Sequence, residues 1–279
     1  MTMPPVQVVE LFPEERAALI DLLSDLQPDE WWTRSIGNWT IHDVALHLWG
    51  GDVNILSNMR VHFSGPPASS TGSDLSIWAN LVGYINKRNA DWVGATQRIS
   101  PPLLIALLAD SGRQLNAYWP TLDLNAGGPT VDWAGQGPMP MWMHVAREFT
   151  ERWTHQQHIR DAVGRPGMKE RRYLHPVLDT FIRALPFTLR RTWAADGSGV
   201  GFVVTGDAGG EWWAVRERGG WDLRDHAPAT VLTRVTMDQD AAWRLVTRGY
   251  SPEVAIEHAT IEGDPRTAAT VLEMVSIIA

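Results

Sequence analysis

Residues 144–166 read HVAREFTERWTHQQHIRDAVGRP. At roughly 100° per residue, His144, Glu148, Glu151, His155 and His158 share an arc of about 80° on one helix face. Their spacings alternate between four and three, the seam that a bundle helix turns toward its interior. An interior seam is normally apolar. Ionisable groups placed there carry a heavy desolvation cost unless they are paired or bind a metal. The stretch therefore predicts a bundle helix over about 141–163 that carries a polar site, stopped by Gly164, Arg165 and Pro166.

Working outward, the N-terminal half reads as helices. Pro13 and Glu14 open one over about 13–27, with Leu19, Ile20, Leu22, Leu23 and Leu26 as its apolar face. Residues 31–39 connect to Thr40-Ile41-His42-Asp43, a capping-box pattern that starts a helix to about His62. A Gly/Pro/Ser loop follows at 64–73, then a helix over about 74–98. Ser100 and Pro101 fit N-cap and N1 of a helix to about Tyr118. Residues 121–140 form a long Gly/Pro-rich loop of the kind that often shapes a site. The C-terminal half changes character. It reads as a helix over 173–191, strands near 200–205, 211–216, 221–225 and 230–236, a helix capped by Asp238 to about Arg248, and a last helix from Asp264-Pro265 to Ile278. The expected architecture is a helical bundle over 1–168 followed by a small α+β domain over 169–279.

The spacing within the stripe suits a cation. Glu151 and His155 stand at i and i+4, so their side chains emerge one above the other. A third ligand has to come from another helix. His47, in the run Val44-Ala45-Leu46-His47-Leu48, is flanked on both sides by apolar residues and is the candidate. An E-x-x-x-H pair alone is ordinarily a surface ion pair, and a single histidine in an apolar helix is ordinarily a core residue. Together they point to a metal, most simply zinc, with a fourth position open as in catalytic sites. Glu148 is a candidate for orienting a ligand imidazole or serving as a general base. Arg160 is either a surface residue or an anion clamp, and Trp142 beside the 121–140 loop is a candidate for covering the cleft.

Composition narrows the function. The chain has 279 residues, is 44% hydrophobic and 20% charged, and carries a formal net charge of -8. A sizeable core is within reach of such a chain. The acidic balance argues against nucleic acid as the main partner, since phosphate backbones need a cationic surface. Lys169, Arg171 and Arg172 form a local basic cluster that reads as a solvated linker. There is no cysteine, which excludes disulfides, thiolate ligands and a cysteine nucleophile. The start of the chain lacks the pattern of a signal peptide, and no apolar run reaches the ~18 residues of a membrane span. A cytoplasmic protein, monomer or homodimer, is expected. Trp, at 15 residues, is frequent enough that some should line a cleft as well as the core.

Two runs carry a family resemblance. WTIHDVALHLWGGD (39–52) is similar to the W-T-x-x-D-V-x-x-H-L signature of DinB-like bundles. ERWTHQQHIRDAVGRP (151–166) resembles the E-R-W-x-H-x-x-x-I-R-x-A-x-G-R-P segment of the mycothiol-dependent maleylpyruvate isomerase family. VTMDQDAAWRLVTRGYSPE (235–253), IEGDP (261–265) and the final helix resemble that family's sterol-carrier-protein-like domain. The resemblance implies a DinB-like four-helix bundle with a zinc site made of His47, Glu151 and His155. It also implies mycothiol or a similar thiol as cosubstrate with a small-molecule substrate. His158 departs from the acidic residue common there. The expected activity is a thiol transferase or cis-trans isomerase. A metal-dependent hydrolase on the same site and a non-enzymatic binding module are the alternatives.

Overall fold

A computed structural model describes residues 3–63, 74–75, 77–135 and 137–276. The loop expected at 64–73 and the end of the last helix expected at Ile278 lie outside the described residues. The chain forms two compact units that interleave along the sequence. A helical unit holds Val8–Asp123 and Glu151–Met168, and a sheet unit holds residues 3–7, Leu124–Thr150 and 169–276. Among the described residues no helix is long and apolar enough to cross a membrane.

In the helical unit, α1 spans Phe12–Ser24, with Pro13 in its first turn and Glu14 and Glu15 favourably placed at its positive end. A short antiparallel hairpin, β1 (Arg34–Ile36) and β2 (Trp39–Thr40), replaces the expected plain connector. It delivers the chain to α2, Ile41–Ile55. The Thr40 hydroxyl accepts from the Asp43 N–H at 3.2 Å, and the Asp43 carboxylate accepts from the Thr40 N–H at 2.9 Å. This reciprocal cap, worth about 1 kcal/mol, fixes where the helix begins and therefore where His47 falls. Beyond Ile55 the chain continues as a π-helical turn, Leu56–Arg60. α3 spans Trp78–Thr96, α4 Pro101–Tyr118 and α5 Met141–Val163. The first half of α5 belongs to the sheet unit and its second half to the helical unit. Gly164, at φ +64°, ends it in the left-handed conformation that costs glycine little. The Arg165 N–H then reaches the Arg160 carbonyl at 3.0 Å, closing the helix end.

The core of this unit is mainly aliphatic, with Trp31 in the same cluster. Leu19, Leu22 and Leu23 of α1, Val44, Ala45 and Leu48 of α2, Val93 of α3, Leu104 and Leu108 of α4, and Ile159 of α5 form one buried cluster. Beside it lies a buried ionic network that the sequence pattern did not announce. Asp52 of α2 has a fully buried carboxylate. Arg16 of α1 grips it through two bonds of 2.7 and 2.9 Å, Arg152 of α5 donates at 2.9 Å, and Ser111 of α4 at 2.6 Å. Arg16 also donates to the Leu108 carbonyl at 2.6 Å. Gly112 makes the room: a Cβ there would stand 2.6 Å from Cγ of Arg16. Next to this cluster, Gln156 of α5 donates to the buried Glu15 carboxylate at 2.8 Å.

The sheet unit contains a ribbon, β3 (Gly127–Thr130) with β4 (Pro138–Pro140), inside the segment expected to be a plain loop. α6 spans Arg171–Ile182. The helix expected over 173–191 breaks after Ile182, and a single turn, α7 (Leu185–Thr188), restarts with Pro186 in its first turn. Proline lacks the N–H that an unbroken helix would need there. The sheet itself has five strands: β5 (Ser198–Thr205), β6 (Gly210–Glu217), β7 (Gly220–Arg224), β8 (Thr230–Asp238) and β9 (Ala259–Gly263). Their order is β7-β6-β5-β8-β9, with β5 and β8 parallel and the other neighbours antiparallel. Strand β9 was not expected, because ATIEG has too few apolar residues to show alternation. Its register is set by pairing, with Ile261 opposite the buried Val235. α8 (Gln239–Val246) starts at the expected Asp238 cap, α9 is the single turn Pro252–Ala255, and α10 (Pro265–Leu272) starts at the expected Asp264 cap. α10 ends earlier than expected. The expected solvated linker at 169–172 makes specific contacts instead: Lys169 pairs with Asp240 at 2.7 Å, and Arg171 donates to the Asp207 and Gly209 carbonyls.

The network around Asp52 gives a pH prediction. Burial pushes the Asp52 carboxyl up, but the charges of Arg16 and Arg152 and the bonds from Arg16 and Ser111 outweigh it and hold the group below its ordinary value. A folded value below the unfolded one gives stabilisation that is complete above the unfolded pKa and is lost as pH falls through the folded one. Asp52→Asn should cost about 3–5 kcal/mol near neutral pH, because the two guanidiniums lose their buried counter-charge. In urea unfolding, the gap between wild type and variant should be constant above about pH 5 and should shrink below about pH 4. A gap of the same size at the acid end would contradict the assignment.

Candidate metal centre

Three side chains of the helical unit converge. His47 stands in the second turn of α2, about one turn after the buried Val44. Glu151 and His155 stand one turn apart on α5. Nε2 of His47 lies 3.0 Å from Oε1 of Glu151, and Nε2 of His155 lies 3.2 Å from the same oxygen. One ligand atom from each of the three residues falls within 4.8 Å of the other two. The imidazole rings meet edge to face with centroids 4.7 Å apart.

The donor set fits a divalent cation. Two imidazole nitrogens and one carboxylate oxygen form a familiar zinc set, bound at about 2.0–2.2 Å. Tetrahedral angles at such distances place neighbouring ligand atoms roughly 3.3 Å apart. The two nitrogen–oxygen separations are within a few tenths of an ångström of that value. The imidazole side chains are 13% and 15% exposed, whereas Glu151 is 42% exposed, so the centre is buried on the histidine side and open on the carboxylate side. That is the form of a site with a position left for an exogenous ligand.

Electrostatics favour the ligating states. Burial lowers the His47 pKa, against the opposing pull of its bond to Glu151, so its imidazole is neutral at neutral pH and can offer a lone pair. Burial alone would raise the Glu151 carboxyl. His155 and His47, by charge and by hydrogen bond, more than offset this and hold it well below the usual carboxylate range. A metal binds deprotonated ligands, so both shifts reduce the proton's competition.

Two aromatic neighbours frame the pair of imidazoles. The Trp39 ring lies 5.1 Å from the His47 ring. Nδ1 of His158 is 3.4 Å from Nδ1 of His155, the ring nitrogen that does not face Glu151. A partner on that nitrogen is how ligating imidazoles are usually oriented.

The other sequence candidates keep different company. Glu148, buried, holds Arg147 in an ion pair at 2.5 Å. Arg160 donates to Gln156 at 2.9 Å and toward the Arg165 and Ala18 carbonyls at 3.4 Å. Trp142, in the sheet unit, has the Arg183 guanidinium 5.3 Å from its ring centre. None of the three joins the cluster of ligand atoms. Sequence reasoning missed Asp52, Arg16 and Arg152. The available signal was a second acid in α2, five residues after His47 and well past the capping Asp43, together with an arginine directly after Glu151.

Residues 12–160 match the family described as the mycothiol maleylpyruvate isomerase N-terminal domain. Two solved structures share the fold. One is a crystal structure of a mutant of the mycothiol-dependent maleylpyruvate isomerase, with TM-score 0.53, and the other is a crystal structure of the mycothiol-dependent maleylpyruvate isomerase, with TM-score 0.50. Each is 13% identical in sequence, and each comparison covers 93% of both chains. No match is found among curated proteins.

If the three residues hold zinc, the ion should stabilise the fold. Free zinc at 100 times its dissociation constant should add about 2.7 kcal/mol. A thermal-shift titration of chelator-treated protein should show this rise in wild type and none in His47→Ala. An equal rise in both would place the ion elsewhere.

Proposed function

The chain belongs to the family of the mycothiol maleylpyruvate isomerase N-terminal domain, and from that premise we propose that it is a metal-dependent enzyme that uses a low-molecular-weight thiol, mycothiol or a close analogue, against a small electrophile. The reaction is cis-trans isomerisation of the maleylpyruvate type or transfer of the thiol. The observation that carries this reading is the convergence of His47, Glu151 and His155 at a centre with one open side. In this reading the helical unit is a DinB-like four-helix bundle and residues 169–279 form a sterol-carrier-protein-like domain. The cytoplasm, where such thiols stay reduced, is the proposed setting.

His47, Glu151 and His155 would hold the cation. A cation in that place would lower the pKa of an incoming thiol from about 8.5, so that thiolate is present near neutrality. The chain has no cysteine, so the sulfur nucleophile has to be imported. His47 and His155 supply neutral donors, and Glu151 supplies one negative charge, leaving the centre electropositive enough to attract a thiolate. Trp39 closes the His47 side against water, and His158 holds the His155 ring by its far nitrogen. In the isomerisation, sulfur bonds to an alkene carbon conjugated with a carbonyl, and the π electrons move to the carbonyl oxygen. The resulting single bond rotates. The electrons then return, the C–S bond breaks, and the thiol leaves unchanged. In the transfer, the adduct takes a proton on carbon and is released.

A hydrolase on this centre would need a general base beside the open position. Glu148, the sequence candidate, is engaged with Arg147. The thiol reading is therefore preferred.

The test is an assay of zinc-loaded protein with maleylpyruvate and with a panel of activated alkenes, epoxides and esters, each with and without mycothiol. Turnover should require the thiol. It should fall at least ~100-fold in His155→Ala, beyond the 10–100-fold losses typical of outer-sphere changes. Turnover of an ester without thiol would overturn the proposal in favour of hydrolysis.

A further inference from the structure

The strongest polar feature outside the centre is the network around Asp52, and its place in the chain is informative. Arg152 follows Glu151 directly on α5, and Asp52 follows His47 by five residues on α2, about 7.5 Å of helix rise. The two helices are thus joined twice, at His47 with Glu151 and at Asp52 with Arg152. We propose that Arg152, Asp52 and Arg16 are the positioning residues of the cation centre: the buried clamp sets the register of α2 against α5, so that His47 falls opposite Glu151 and His155. This rests on the metal reading above.

Three observations support it. First, an aliphatic interface specifies axial position weakly, since leucine, valine and alanine ridges can repack after a slip. A slip of one turn, about 5.4 Å, would separate the ligands beyond any coordination distance. Second, buried ion pairs are poor sources of stability compared with apolar groups of the same volume, whereas fixing register is their best-attested use. Third, the clamp is over-determined. Asp52 accepts four hydrogen bonds from three other helices. The Arg152 guanidinium lies over the rings of Phe12 and Trp119, at 5.8 and 5.9 Å, and those rings stack on each other at 5.0 Å. A charge held this firmly has little freedom to follow a displaced helix.

The test compares Arg152→Met, Arg152→Lys and Val93→Ala in the full chain. Arg152→Met cuts the α2–α5 link while Asp52 keeps Arg16 and Ser111, so the chain should fold. Val93→Ala creates a cavity in the aliphatic core and lowers the melting temperature without touching the clamp. Zinc affinity is read by competition with a chromogenic chelator. In metal-free protein, long-range ¹H–¹⁵N spectra of the histidine rings report whether His47 keeps its bond to Glu151. Arg152→Met should lose at least about tenfold in zinc affinity, the scale of outer-sphere losses, and shift the His47 ring resonances. Arg152→Lys should stay within about threefold, because one hydrogen bond rather than a two-pronged fork is at stake. Val93→Ala should match wild type in both readouts despite its lower melting temperature. Wild-type affinity and ring spectra in Arg152→Met would overturn the proposal, as would equal losses in Val93→Ala. Wild-type protein that binds no zinc would defeat the metal reading, and the ring spectra would still decide whether the clamp positions His47.

Discussion

One carboxylate, that of Asp52, is shared by α1, α2, α4 and α5. Taking it and the guanidiniums of Arg16 and Arg152 out of water is costly, and the cost is met only because every oxygen lone pair of Asp52 finds a donor. That requirement makes the arrangement nearly all-or-none. The helices either adopt the spacing that satisfies Asp52 or leave buried charges exposed to one another. The aliphatic cluster of Leu19, Val44, Leu104 and Ile159 supplies the driving force for collapse. The ionic cluster supplies the choice among ways of collapsing.

The proposed cation centre would inherit that choice. A metal site tolerates only a few tenths of an ångström in ligand placement, far less than an apolar core does. His47 is placed along the chain by the Thr40/Asp43 cap and, in the proposal above, across the helical unit by Asp52, five residues later. Glu151 and His155 are placed by a helix that passes through both units and ends cleanly at Gly164. The resulting centre combines two nearly buried imidazoles with one partly exposed carboxylate. In the proposed reading it would hold a cation from one side and meet solvent from the other. A chain without cysteine can use such a centre to activate a sulfur it does not possess.

Much of this was legible in the sequence, for identifiable reasons. The alternating four-and-three spacing from His144 to His158 exposed a polar stripe where a bundle should be apolar, and Glu151 and His155 followed from it. His47 followed from its apolar flanks. Helix starts were readable at Thr40, Asp238 and Asp264, where a side chain makes the cap, though not at Ser251, which caps the single turn α9. The unread parts depend on partners distant in sequence. Asp52 looks like a surface acid until Arg16 and Arg152 meet it. β9 is a strand because β8 lies beside it, and nothing within ATIEG requires that. Glu148, Arg160 and Trp142 share the composition of site residues, but Glu148 pairs with the adjacent Arg147, Arg160 bonds Gln156 one turn back, and Trp142 meets the distant Arg183.

The most direct test of the account is X-ray absorption at the zinc edge on metal-loaded protein, before and after addition of mycothiol. The account predicts two imidazole nitrogens and carboxylate oxygen at about 2.0–2.1 Å, joined by one sulfur at about 2.3 Å once the thiol is present. A spectrum lacking imidazole scattering, or one that gains no sulfur at any thiol concentration, would contradict it.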